Sequence, residues 1–198
     1  MANNYERPKD DFYSTPKFVV DGLFEFVDLK SLAEKGHNFF EPCKGIGGIY
    51  NYLPEPKDYC ALEEDKDYLK MNFCFDPKKV IVTNPPFILA KEFLEKSLSE
   101  SPVVIYFLRL NFLGSGGRFD FFKQNPPDHF IISSDRPSFT PDGKTDNCDY
   151  AWMIWDKDSV LGLTQASYFF EDPIRAARRK VRDEKKLDVS LQTNLKSF

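Results

Sequence analysis

Apolar residues fall along this chain in short unbroken runs, separated by polar stretches that carry most of the prolines and glycines. Val80–Thr83 and Val103–Leu108 show no apolar–polar alternation, which is the pattern of strands covered on both faces in a parallel sheet. Asn38–Cys43, Asp58–Glu63, His129–Ser133 and Tyr150–Trp155 read as further strands. Between them the period changes. Val19, Val20, Leu23, Phe24 and Val27 share one helical face, with Ser14 or Thr15 placed to cap it and Pro16 at its first position. Leu89, Phe93, Leu94 and Leu98 mark a second helix over Ala90–Ser99, and Arg118–Lys123 a short third one. Strands alternating with helices predict an α/β domain built on a mostly parallel sheet, with helices on both faces. No linker or internal repeat interrupts the pattern before Asp172. One domain over residues 1–172, with residues 1–10 flexible and a basic helical tail over 173–198, is the expected organisation.

The most informative stretch is Val80-Ile-Val-Thr-Asn-Pro-Pro-Phe87. Neither proline can donate a ladder hydrogen bond, and Pro85 turns Asn84 away from helical conformation, so the strand must stop at Asn84. Ligands of open α/β sheets bind beyond the carboxyl ends of the strands. There the chain delivers an amide side chain, the carbonyl of Pro85, the rigid Pro86 and the ring of Phe87. That set suits a planar substrate with an exocyclic amine: Asn84 Oδ1 and the Pro85 carbonyl accept its two N–H groups while Phe87 stacks on its ring. A second Asn-Pro-Pro, at 125–127, precedes a strand instead of ending one and reads as a loop.

The first strand closes on Glu41-Pro42-Cys43, and Lys44-Gly45-Ile46-Gly47-Gly48 follows it as a glycine turn leading into a helix through about Leu53. It lacks the spacing of the dinucleotide fingerprint and places an acid where a pyrophosphate would sit. The next strand ends in acids. Glu63 is the first choice to hold ribose hydroxyls and Glu64 the rival; only Asp65 and Lys66 then separate them from Asp67-Tyr68-Leu69. Arg109 and Asn111 leave the sheet at its carboxyl edge. The polar segment 134–149, which carries Arg136 and Lys144, has the length of a functional loop.

Charge alters this picture in one place. The net charge is −4, yet residues 173–198 hold eight Lys/Arg against three acids, so the tail is +5 and the remainder −9. Such a body repels a polyanion unless cations are concentrated locally; Arg109, Arg118, Arg136 and Lys144 are candidates for a basic rim, and the tail for a phosphate-contacting arm. The competing expectation for the tail is a homodimer contact. The four cysteines show no metal-ligand spacing, no metal is expected, and neither a signal peptide nor a membrane-length apolar run is seen, so a cytoplasmic protein with reduced thiols is expected.

Asn84-Pro-Pro-Phe87 resembles motif IV of the class I S-adenosylmethionine-dependent amino-methyltransferases, above all the N6-adenine DNA methyltransferases. Tyr13-Ser-Thr-Pro16 is similar to their motif X, Glu41-Pro-Cys-Lys-Gly-Ile-Gly47 to motif I, and Asp67-Tyr-Leu69 to motif III. The order over Phe12–Trp155 matches members whose cofactor half precedes the catalytic half, and Leu108–Ser115 looks like small phage or prophage members. The resemblance implies a Rossmann-like seven-stranded sheet with an antiparallel last strand and S-adenosylmethionine as cofactor. Tyr13, Thr15, Pro16, Glu41, Pro42, Gly45, Gly47, Glu63, Asp67, Tyr68 and Asn84 would border that cofactor, Glu41 facing its cationic part. Asn84, Pro85, Pro86 and Phe87 would act on an adenine flipped out of DNA. A separate target-recognition domain is not expected, so loops 110–127 and 134–149, with the tail as a further candidate, would carry specificity. An RNA base as substrate, or a non-catalytic nucleic-acid-binding partner of a methyltransferase, are the alternatives.

Overall fold

All five residues of β3 (Lys79–Thr83) are buried, and the sheet grows outward from this strand. In the computed structural model, which describes residues 14–139 and 144–195, seven strands form one sheet in the order β2-β1-β3-β4-β6-β5-β7. The other strands are β1 (Asn38–Glu41), β2 (Lys57–Tyr59), β4 (Val103–Arg109), β5 (His129–Ser133), β6 (Tyr150–Asp156) and β7 (Ser167–Phe170). Neighbours are parallel everywhere except around β6, which runs antiparallel to both β4 and β5.

Strict alternation along the central strands divides the interior in two. Phe39, Val80, Val82, Val103, Ile105, Phe107, Trp152 and Ile154 face one layer, packed by α1 (Lys17–Phe24) and α2 (Leu29–Glu34). Phe40, Ile81, Val104, Tyr106, Leu108, Met153 and Trp155 face the other, packed by α3 (Ala90–Glu100) and fringed by Phe121 and Phe122 of α4 (Phe119–Gln124). Continuous apolar runs are the necessary result, because both faces of each central strand leave water. The second layer also encloses a polar chain. The Tyr68 hydroxyl donates to Glu100 at 2.9 Å and meets Ser97 at 3.0 Å, and Ser97 meets the Tyr106 hydroxyl at 2.7 Å.

Several local expectations are corrected. The glycine turn after β1 leads to a single 3-10 turn, Tyr50–Tyr52, and not to a helix reaching Leu53. The second strand stops at Tyr59; Ala61 makes an isolated bridge to Lys66, and Leu62–Glu64 is another 3-10 turn. Pro16 occupies the cap position of α1, and no side chain caps that helix. A strand absent from the sequence reading, β7, adds to the far edge in parallel with β5. The antiparallel β6 is therefore followed by one more strand. After it, α5 (Pro173–Leu195) spans the basic segment. Among the described residues no helix is long and apolar enough to cross a membrane. The expectations for Tyr13 and for residues 1–10 lie outside the described residues.

The added strand is locked to the first helix at a glycine. A Cβ on Gly22 would stand 2.2 Å from Cδ2 of Phe170, whose side chain is buried against α1. Alanine is the better helix former by about 1 kcal/mol, so propensity alone predicts that Gly22→Ala stabilises. Overpacking in a dense core costs about 1–3 kcal/mol and should win. Urea denaturation of Gly22→Ala should show a net loss of about 1–2 kcal/mol, recovered in part by adding Phe170→Leu.

Candidate active site

The carboxyl ends of β1 and β3 lie side by side, and the chain leaves them in opposite directions along the sheet, toward β2 and toward β4. Such a reversal point opens a crevice where open α/β sheets take ligands. Here it holds a cavity of about 320 Å³. Its walls include Thr15, Glu41, Pro42, Gly45, Tyr68, Asn84, Pro85, Pro86 and Phe87, nine of the residues expected from sequence.

Glu41 is the last residue of β1 and is 2% exposed. Burial pushes its carboxyl well above the usual range, although the Tyr50 backbone N–H and the charge of Lys44 pull the other way. Its Oε2 has no hydrogen-bond partner among the described residues. The Asn84 Oδ1 is likewise buried and without a partner, while Nδ2 donates to Thr15 Oγ1 at 3.2 Å. Two strand ends thus present two orphaned acceptors to one cavity. Buried acceptors are nearly always satisfied, and leaving one unmade costs about 1–3 kcal/mol. A cationic or N–H-rich group beside Glu41 and an N–H donor beside Asn84 would supply the missing donors.

The glycine turn makes the cavity possible by close approach. A Cβ on Gly48 would sit 2.9 Å from the Thr15 backbone nitrogen. Only glycine lets the two segments close on each other there, which brings Thr15 within reach of Asn84. Gly45 lies on the wall at φ +51°.

Other expected residues are placed elsewhere. Pro16, Gly47 and Asp67 do not line the cavity. Asp67 accepts from the Leu69 backbone N–H at 3.1 Å and pairs with Lys70. Tyr68 contributes its ring, since its hydroxyl is spent on Ser97 and Glu100. The side chain of Glu63 lies outside the described residues. Its rival Glu64 accepts from Tyr59 and from Lys44, which hold its carboxyl below the usual range, and it is turned away from the cavity walls. Sequence reasoning missed Ser14, Cys43, Lys44, Ile46, Gly48, Ile49, Ala61, Leu62 and Phe93 as wall residues. Cys43, Lys44, Ile46 and Gly48 follow the recognised acid in the glycine turn, and their contiguity with it could have flagged them. Ala61 and Leu62 carry no chemical signal.

The expected basic rim is largely paired within the protein. Arg109 bonds Asp146 at 2.6 Å and the Tyr150 hydroxyl at 2.9 Å. Arg118 donates to the Phe112 carbonyl and covers the Phe112 ring at 4.4 Å. Arg136 pairs with Asp149 at 2.8 Å. Asn111 and Lys144 are exposed, and neither lines the cavity.

No protein-family model matches the chain, and no curated protein matches it by sequence. Solved structures do. The putative RNA methyltransferase PH1948 from Pyrococcus horikoshii superposes with a TM-score of 0.52 at 15% identity, over 77% of this chain and 92% of that one. A putative class I S-adenosylmethionine-dependent methyltransferase, lmo1582 from Listeria monocytogenes, gives 0.46 at 13% identity, over 85% of this chain and 70% of its own. The chain has the Rossmann-like fold of class I methyltransferases.

Glu41 should dominate the pH response of the ligand-free protein. Its pKa is raised on folding, so the native state holds a proton that the unfolded chain releases above the ordinary carboxylate range. Stability is then greatest below that range and falls as pH rises toward the folded value. Thermal melts from pH 5 to 8 should show this decline in the wild type. Glu41→Gln should flatten it and melt higher than the wild type at pH 8.

Proposed function

We propose that the protein is an S-adenosylmethionine-dependent methyltransferase acting on the exocyclic amine of a nucleic-acid base, N6 of adenine in DNA being the favoured target. The observation that carries this reading is the pair of orphaned acceptors, Glu41 Oε2 and Asn84 Oδ1, facing one cavity at the reversal point of the sheet. The fold and the Asn84-Pro-Pro-Phe87 resemblance support it.

When bound, S-adenosylmethionine supplies a methyl group on a sulfonium cation. Glu41 would hold the cofactor's ammonium end, where a buried carboxylate meets a cation in a site closed by Gly45, Gly48 and Thr15. Ala61, Leu62, Phe93 and the Tyr68 ring form the apolar wall for its remainder. An adenine amine is a poor nucleophile because its lone pair is delocalised into the ring. Hydrogen bonds to Asn84 Oδ1 and to the Pro85 carbonyl would favour a pyramidal nitrogen whose lone pair is available. The contribution of these residues is orientation and electrostatics, in a site assembled before substrate arrives. Thr15 takes the Nδ2 side of the Asn84 amide, which leaves Oδ1 facing the cavity.

Nucleic-acid affinity needs cations that the paired arginines near the site do not offer freely. We assign that role to α5. Arg175, Arg178, Arg182 and Lys185 recur at intervals of three or four residues and so share one face. Arg179 bonds Glu171 and lies 3.7 Å from Asp135, fastening the first turns to the body. From Lys180 to Lys185 every side chain is exposed.

Labelled methyl transfer onto DNA, RNA and protein in parallel, followed by nucleoside analysis, tests the reading. Labelled N6-methyladenine in DNA is the expected product; label confined to RNA would move the substrate class, and no transfer to any of the three would overturn the proposal. Asn84→Ala should lower kcat at least a hundredfold while cofactor affinity, measured by calorimetry, stays within about threefold. Glu41→Gln should do the opposite and weaken cofactor binding about tenfold or more. Truncation after Asp172 should lower DNA affinity for all sequences alike and flatten its salt dependence, leaving site preference intact. A change in sedimenting mass with an unchanged salt slope would instead make α5 a subunit contact.

A further inference from the structure

Lys44 follows Glu41 by three residues and lines the same cavity, yet Oε2 of Glu41 is left without a donor. Other contacts hold the lysine. Its Nζ donates to Glu64 Oε1 at 3.1 Å and stands 3.7 Å from the centroid of the Tyr59 ring and 5.7 Å from that of Tyr50. The Tyr59 hydroxyl donates to the other Glu64 oxygen at 2.8 Å, and the two tyrosine rings meet edge to face at 4.9 Å. A carboxylate and two aromatic rings thus form a cage around one ammonium.

Strand register sets this cage beside Glu41. Glu41 and Tyr59 are paired residues at the ends of β1 and β2. Paired residues of parallel strands leave the same face of a sheet, from strands about 4.8 Å apart. The turn is tied back to the same point: the Lys44 N–H bonds the Cys60 carbonyl, and the Cys60 N–H bonds the Glu41 carbonyl, each at 2.9 Å. Tyr50, whose ring belongs to the cage, gives its backbone N–H to the Glu41 carboxyl, and the charge of Lys44 is felt there.

We propose that Glu64 and Tyr59 are positioning residues that hold the Lys44 ammonium away from Glu41 and so keep that carboxyl open for the ammonium of the bound cofactor. The inference rests on the reading of Glu41 as the seat of that ammonium. It gives Glu64 a role in place of the ribose contact expected from sequence. Occupancy of Glu41 is a contest between two cations, decided by a difference of affinities. The lysine is tethered beside the carboxyl and competes at high effective concentration. The Lys44–Glu64 pair is partly open to water, with side chains 21% and 43% exposed, and such a pair alone is weak. The Tyr59 ring and its bond to Glu64 add to its hold on Lys44. Without the Glu64 charge, the orphaned acceptor of Glu41 becomes the better partner.

Calorimetry of S-adenosylmethionine binding to single and double variants tests this. Glu64→Gln should weaken binding about fivefold, the worth of a partly exposed ion pair. Adding Lys44→Met, which keeps a long side chain against Tyr59, should restore affinity to within about twofold of wild type. Lys66→Met is the control. Lys66 also approaches Glu64, at 3.7 Å, and the Tyr59 ring, at 4.5 Å, but does not line the cavity. Added to Glu64→Gln it restores the same net charge and should not restore binding. 5′-Methylthioadenosine, which has neither ammonium nor sulfonium, should bind Glu64→Gln and wild type within about twofold of each other.

Rescue by Lys66→Met as well as by Lys44→Met would make the effect one of net charge and overturn the proposal. Weakening by Lys44→Met alone to the level of Glu64→Gln would show that Lys44 itself holds the ligand, and overturns it too. So does a loss in Glu64→Gln that Lys44→Met does not rescue, or an equal loss for 5′-methylthioadenosine. Unchanged binding in Glu64→Gln, where Glu41→Gln is weakened, overturns this inference alone. A wild-type protein that binds no cofactor, or a Glu41→Gln variant that binds it as wild type does, overturns the reading of Glu41 and this inference with it.

Discussion

Two acceptor oxygens buried without donors are the constraint on which the site depends. Glu41 ends β1 and Asn84 directly follows the neighbouring parallel strand β3, so the sheet places the two oxygens beside each other. Each orphan costs about 1–3 kcal/mol in the ligand-free protein, a large fraction of the stability of a domain this size. The cost is tolerable because it falls where the scaffold is strongest, beside strands whose residues Phe39 to Glu41 and Val80 to Thr83 are almost wholly removed from water. A ligand bringing the missing donors recovers that energy as binding free energy. The same atoms therefore weaken the empty protein and select the occupant.

The antiparallel strand has a matching consequence. Parallel strands bring only their carboxyl ends to the edge where β1, β3 and β4 finish. Because β6 runs the other way, it brings its amino end there, with Tyr150 opposite Arg109 and loop 134–149 leading in. Reversing one strand lets a long loop reach the site without crossing the sheet. It also sets the Tyr150 hydroxyl against Arg109 and Asp146 at the far side of Phe87. The order of the sheet thus decides that the residues leading into β6 meet the Phe87 side of the cavity, while β1 and β3 lead to its Glu41 and Asn84 side.

What sequence disclosed follows from the range of the interactions concerned. Val80–Phe87 was legible because everything it signals is local: β-branched burial, a proline stop, an amide and an aromatic within eight residues. Glu41 was legible because a strand, an acid and a glycine turn are contiguous. Strand β7 was not, for it is a four-residue edge element in which Phe169 stays 62% exposed and Phe170 alone enters the core, too short for a period to emerge. The acidic segment is ambiguous through abundance. Glu63, Glu64 and Asp67 are equivalent in pattern, and only the contacts of Glu64 with Tyr59 and Lys44 and of Asp67 with Lys70 show those two committed to their own surroundings.

Arg109 shows what local reading does not reach. A cation at the carboxyl edge of a sheet, in a chain suspected of binding a polyanion, reads as a phosphate contact. Its partners Asp146 and Tyr150 lie 37 and 41 residues further along, and no periodicity links positions so far apart. The partners also change the chemistry of the residue. Burial alone would raise the carboxyl of Asp146, but the bonds from Tyr150 and Arg109 hold it below its usual range, so the pair stays charged and mutually neutralised. An arginine neutralised in this way contributes little long-range attraction to a phosphate backbone and a great deal of local geometry.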